Sequence, residues 1–191
     1  FNPSFGYRFM HMALASFLTA SFVVAGVTAW FIMQKRELEA NKKALSISLW
    51  LILILAPAQV LVGDFHGLNT LKHQPMKVAA MEGNWETGTG VPLLLFALPD
   101  QENQQNLFEI KIPKLASFIL THEWDGEVPG LNEVAPDKQP PVFIVFWAFR
   151  VMVAMGMLMV LFGLAGLWLR RGGRYLENRT FLNGLRVMSL S

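Results

Sequence analysis

Cysteine is absent from this 191-residue chain. That excludes disulfides, Fe–S clusters, thiolate zinc sites, a cysteine nucleophile and covalent attachment of a c-type haem. Charge is scarce too: Asp, Glu, Lys and Arg make up 16% of the residues, against about 25% in an ordinary soluble domain. The net charge of +2 is too small and too scattered for a nucleic-acid footprint, so no nucleic-acid partner is expected. There is no internal repeat, and no His-Glu-x-x-His spacing of the zinc-hydrolase kind. Apolar residues fill the space that charge leaves. Hydrophobic residues are 53% of the chain, with 15 Phe, 6 Trp and 10 Met, and the mean hydropathy is +0.37. This composition predicts surface that faces membrane lipid. The chain opens on Phe1 rather than Met and turns apolar again over 181–191, so it reads as an internal piece of a longer chain, in which a missing signal peptide carries no meaning.

Three apolar runs reach or approach the roughly 20 residues that a helix needs to cross a bilayer. The first spans about Phe9 to Met33 and holds a single ionisable residue, His11. The second, about Ala44 to Gly63, holds none but contains Pro57, which neighbouring helices can accommodate. The third, Val142 to Leu169, holds Arg150 and is longer than a bilayer requires. A fourth helix is expected to begin near Thr180 and to be cut off. The expectation is an all-α membrane protein: a transmembrane helix bundle fragment with three full spans, a truncated fourth and a long external loop. It divides into residues 1–63 (two spans and their connection), 64–141 (the loop) and 142–191 (the third span, a connection and the start of a fourth helix).

The connections differ in charge. Lys35, Arg36, Lys42 and Lys43 lie between the first two spans, and Arg170, Arg171, Arg174 and Arg179 follow the third. The positive-inside rule places both in the cytoplasm, which puts the segment Asp64 to Pro141, with eleven acidic residues against five lysines, on the outer side. Trp85, Phe96, Phe108, Phe118, Trp124 and the run Val91 to Leu98 make that segment too apolar for a disordered tail. It should pack on the outer membrane face. Pro75 to Glu82 reads as a short helix with proline in its first turn.

Ionisable residues within a span are functional hypotheses by default. His11 is either a haem ligand, with Ala15 one turn on leaving room for a flat ring, or an interfacial histidine bonded to a neighbouring helix. Met152 has Ala148 and Gly156 four residues to either side, so one helix face is stripped of bulk there. That face is either a haem-ligand clearing or a small-residue packing seam. Arg150 could hold a haem propionate or pair with a carboxylate elsewhere. His/Met ligation would give a six-coordinate, electron-transferring haem. Lys77 and Glu82 are about 140° apart on a helix, so they form no i,i+4 pair, and each also reads as an ordinary solvated side chain. Asp64, His66 and His73 make a zinc site conceivable, without any supporting spacing.

Taken together, Phe9-Met10-His11, Gly63-Asp64, Lys77-Val-Ala-Ala-Met-Glu82-Gly-Asn-Trp85-Glu86-Thr87, Ile112-Pro113 and Phe149-Arg150-Val151-Met152 resemble subunit I of the bacterial cytochrome bd quinol oxidases. The resemblance covers essentially the whole chain, and the lysine-to-Trp-Glu-Thr stretch is its most specific part. It implies the central helices of that subunit with the quinol-binding loop between them, in the short-loop branch often called cyanide-insensitive. It further implies that His11 and Met152 are the axial ligands of the quinol-side haem b, that Arg150 supports that haem, and that Lys77 and Glu82 act in quinol binding and oxidation. A further haem b and haem d, the other helices of the subunit and a second oxidase subunit would lie outside this segment.

The function expected is therefore part of a quinol:oxygen oxidoreductase in the bacterial cytoplasmic membrane. It would oxidise quinol at the outer face and pass electrons through haems to oxygen. The rivals are a proton-coupled transporter segment, with Arg150 and Asp64 lining a pathway, and a structural membrane subunit without cofactor.

Overall fold

A computed structural model describes residues 2–171 and 173–190. Three helices are long and apolar enough to cross a membrane. They are α1 (Phe5–Met33), α2 (Leu38–His73) and a helix over Val142–Arg170. Each runs beyond the expected span. The first starts at Phe5, and the second continues past Gly63 to His73, so the start of the expected loop is still helix. At 1.5 Å per residue, 29 residues reach about 43 Å, more than the roughly 30 Å of hydrocarbon. Apolar residues surround all three helices, as a lipid-facing surface requires.

Between the spans the chain forms α3 (Pro75–Glu82), β1 (Gly88–Thr89), β2 (Leu93–Asp100), β3 (Gln105–Ile112), α4 (Leu115–Thr121) and β4 (Glu127–Val128). The third span is α5 (Val142–Arg170), and α6 (Arg179–Met188) follows it. The helical architecture and the short helix at Pro75 match the expectation. The hairpin of β2 and β3 goes beyond it: the apolar run Val91 to Leu98, expected only to pack on the outer face, contributes most of a strand. Its strands pair antiparallel from Leu93↔Ile112 to Asp100↔Gln105, with irregularities on either side of Phe96. β1 and β4 form a separate antiparallel pair.

The chain divides into two compact units. In the unit holding the residues up to Gly63 and those from Ala154 onward, Leu18, Phe22, Ala25 and Ala29 of α1 lie at helical spacing and are buried. They share a core with Leu45, Leu49, Ile52 and Ala56 of α2 and with Leu182 and Leu185 of α6. Small residues set the approach of the helices: a Cβ on Gly163 would lie 3.1 Å from the Leu53 backbone. Arg170 donates to the Ser46 hydroxyl at 2.9 Å and stacks over Trp50 and Tyr175.

The second unit, Asp64–Val153, has two small cores. Ala79, Ala80, Trp85, Leu131 and Val142 form one, and Leu94, Ala97 and Phe146 the other. The first backbone amide of α5, on Val142, is capped by the Gln101 side chain at 3.2 Å.

Candidate functional site

The second unit brings together residues that are far apart in sequence. Pro75 opens α3 at its first turn, and Gly83 closes it in the left-handed region at φ 69°. Val78, Ala79, Ala80 and Glu82 are buried, whereas Lys77 is exposed. Glu82 is thus not the solvated side chain that its polarity allowed for. Its side chain is 8% exposed and its carboxylate accepts from Arg150 Nη2 at 2.7 Å, the Arg150 side chain being 11% exposed. Of the readings open for Arg150, the structure shows pairing with a carboxylate. Arg150 Nε also donates to the Leu94 carbonyl of β2 at 2.6 Å, and the guanidinium lies 4.6 Å from the Phe146 ring centre. A charge-assisted pair with these further contacts is the arrangement in which a buried guanidinium is satisfied.

Behind Glu82 the chain is held by amides. Asn106 of β3 donates from Nδ2 to the Gly83 carbonyl at 2.9 Å, and its Oδ1 accepts from Trp85 Nε1 at 3.0 Å. Asn84 donates to the Pro129 carbonyl at 2.9 Å. The Thr87 hydroxyl donates to Glu133 at 2.6 Å, and Gly130 has no room for a side chain against Glu86 and Thr87. Asn84 lies within the stretch that carries the family resemblance, whereas nothing in the sequence points to Asn106 or Gly130. Asn106 carries no signal there, because nothing in its neighbourhood reveals that β3 returns it to Gly83.

The first unit holds His11. The Gln59 amide donates to His11 Nε2 at 3.1 Å, and a Cβ on Gly63 would come within 3.2 Å of His11 Cε1. The imidazole therefore sits against α2 where glycine leaves space. Met152, in the second unit, is 52% exposed, and a Cβ added at Gly156 would meet nothing within 4 Å. The bare flank read from Ala148, Met152 and Gly156 is present. An imidazole nitrogen and a thioether sulfur are the donor pair of a six-coordinate electron-transfer haem. The open flank beside Met152 leaves room for such a group, while His11 Nε2 is engaged by Gln59. Asp64, His66 and His73 all lie on α2, where His73 Nδ1 turns to the Asn69 carbonyl at 2.9 Å. Among the described residues no three His, Asp or Glu side chains gather as a metal site.

Comparison with known proteins agrees with this architecture. The model of the family described as cytochrome bd terminal oxidase subunit I matches residues 1–191. The chain is 32% identical to cytochrome bd ubiquinol oxidase subunit 1 of Bacillus subtilis (strain 168), over 98% of this chain and 42% of that protein. It is 30% identical to cytochrome bd-II ubiquinol oxidase subunit 1 of Escherichia coli (strain K12), over 73% of this chain and 27% of that one. Among solved structures, the bd oxidase of Geobacillus thermodenitrificans superposes with a TM-score of 0.89 at 29% identity, covering 100% of this chain and 44% of that one. The chain thus spans less than half the length of these relatives.

Proposed function

The chain belongs to the family of cytochrome bd terminal oxidase subunit I, and from that premise we propose that it supplies the quinol-oxidising part of such an oxidase. The complete protein would oxidise membrane quinol at the outer face of the bacterial cytoplasmic membrane and reduce oxygen to water. It would act with a second subunit and with a further haem b and haem d held by the remaining helices. The observation that carries this reading is the Glu82–Arg150 pair. Quinol oxidation releases protons and electrons together, so it needs a proton acceptor beside an electron acceptor. Glu82 is a buried base whose partner, Arg150, stands two residues before Met152 on α5.

In this reading Glu82 accepts the proton of a quinol hydroxyl. Lys77, exposed on α3, donates a hydrogen bond to the other quinol oxygen and attracts electron density there. Arg150 holds the Glu82 carboxylate in place and offsets its charge. His11 and Met152 would hold a b-type haem, which when bound supplies a one-electron acceptor. The outward position of the loop follows from the basic connections 34–43 and 170–179, and protons leaving Glu82 would be released on that side.

The test is steady-state oxidation of a short-chain ubiquinol by the full complex carrying Glu82→Ala or Lys77→Ala. Oxygen uptake with an artificial amine donor that bypasses quinol is followed in parallel. Glu82→Ala should lower kcat by roughly 10² or more, the usual scale for a general base. Lys77→Ala should chiefly raise KM. Bypass oxygen uptake should persist in both. Unaltered quinol turnover in Glu82→Ala would move the site elsewhere, with Asp64 and Glu86 as the next carboxylates to examine.

A further inference from the structure

The two ends of the Glu82–Arg150 pair are held by one element. On β2, the Leu94 carbonyl accepts from Arg150 Nε at 2.6 Å. On β3, Asn106 bonds the residue that follows Glu82, through the Gly83 carbonyl at 2.9 Å, and the Trp85 indole at 3.0 Å. The strands are registered Pro99↔Asn106 and Leu94↔Lys111, so the hairpin grips the arginine with its first strand and the carboxylate's backbone with its second. Asn106 uses both ends of its amide, Nδ2 as donor and Oδ1 as acceptor. Gly83 turns the chain out of α3. At φ 69° it is in the left-handed region, and its carbonyl finds its side-chain donor in Asn106.

We propose that Asn106 is a positioning residue for quinol oxidation: its donation to the Gly83 carbonyl fixes the end of α3 and thereby aims the Glu82 carboxylate at the quinol hydroxyl. This rests on the proposed role of Glu82. The hairpin is then a clasp that sets the geometry of the base, not merely a cover over it. Removing the clasp lets α3 fray at its last turn, and a displacement of about 1 Å at a reacting group costs on the order of 10² in rate.

Three variants separate the contributions. Asn106→Asp keeps the acceptor for the Trp85 indole but turns an acceptor toward the Gly83 carbonyl. Trp85→Phe removes the indole donor and keeps the bond to Gly83. Asn106→Asp combined with Glu82→Ala asks whether Asn106 acts through Glu82. The full complex is assayed for short-chain ubiquinol kcat and KM, for bypass oxygen uptake and for its reduced-minus-oxidised spectrum. Deuterium uptake over residues 79–86 is measured as well. Asn106→Asp should lower kcat roughly 10- to 100-fold with KM within about twofold, speed exchange over 79–86, and leave the spectrum and bypass activity intact. Trp85→Phe should keep kcat within a fewfold of the parent. In the Glu82→Ala background Asn106→Asp should cause no further loss. An additive loss, an effect on KM alone, or unaltered exchange would overturn the proposal while leaving the role of Glu82 standing. Unaltered turnover in Glu82→Ala alone would instead overturn the site reading and the proposal with it. If Asn106→Asp does not assemble, Asn106→Ser takes its place, and failure of both to assemble would make the residue structural and overturn the positioning role.

Discussion

Arg150 and Glu82, 68 residues apart in sequence, meet at 2.7 Å with both side chains almost fully buried. One belongs to a membrane-spanning helix and the other to the last turn of a short helix in the polar segment. The contact joins two residues to which the family resemblance assigns separate roles, Arg150 toward a haem and Glu82 toward a quinol.

Breaking such a pair from one side leaves an uncompensated buried charge, which typically costs about 3–5 kcal/mol, whereas replacing both partners by uncharged groups costs much less. Arg150→Met and Glu82→Gln should each lower the unfolding temperature of the full complex, the former more because it removes the donors to both Glu82 and the Leu94 carbonyl, whereas the amide oxygen left by Glu82→Gln still accepts from Arg150. The double variant should be more stable than Arg150→Met alone. Thermal denaturation of the detergent-solubilised complex checks the order. Additive losses would mean that the two side chains do not interact in the assembled protein.

The spans, their order and the helix from Pro75 were legible because each rests on a local property: hydropathy over about twenty residues, or proline at a helix start. The bare flank of Met152 was legible for the same reason, since residues four apart share a face. The Glu82–Arg150 pair was not. It depends on where the chain returns after the hairpin, and no spacing encodes that. The hairpin was missed because β2, Leu-Leu-Leu-Phe-Ala-Leu-Pro-Asp, lacks the strict alternation of a half-buried strand. Leu94 and Ala97 face inward across the irregularity at Phe96.

If His11 and Met152 share one iron, Met152→Leu and His11→Ala should affect the same component of the reduced-minus-oxidised spectrum. The Met152→Leu change nearly conserves volume, so the complex should still assemble, with the low-spin signal lost or its potential lowered. His11→Ala should abolish that component and leave the others. Loss of different components in the two variants would separate the residues onto different groups.

At the tip of the hairpin, hydrogen bonding from the side chain of Asn103, and then from its backbone amide, holds the half-exposed Asp100 carboxyl below its usual 3.8. A lowered carboxylate contributes stability that is complete above the ordinary value and is lost as pH falls through the folded one. Asp100→Ala should therefore speed deuterium uptake over residues 101–104 relative to the parent at pH 7, and the difference should shrink in acid. A difference that persists unchanged below the usual carboxylate range would assign the turn's order to something other than the ionised side chain.

Two glycines should respond with opposite sign to the same substitution. Gly67 lies inside α2, and a Cβ there would meet nothing within 4 Å. Gly67→Ala should stabilise by roughly 0.5–1 kcal/mol, since alanine loses less backbone entropy in a helix. Gly83 is in the left-handed region, which costs an L-residue about 1–2 kcal/mol. Its Cβ would also lie 3.2 Å from Phe146 and 3.3 Å from Leu94. Those neighbours have little room to yield, because Leu94 and Phe146 are buried together in one small core and Phe146 underlies the Arg150 guanidinium. Gly83→Ala should therefore destabilise the complex and also lower quinol kcat, because relief of the strain must move either the end of α3 or the seat of Arg150. Comparing denaturation temperature with quinol turnover in both variants decides the matter. A Gly83→Ala complex with undiminished turnover would show that Glu82 tolerates displacement, and that its place at the end of α3 is not what sets the rate.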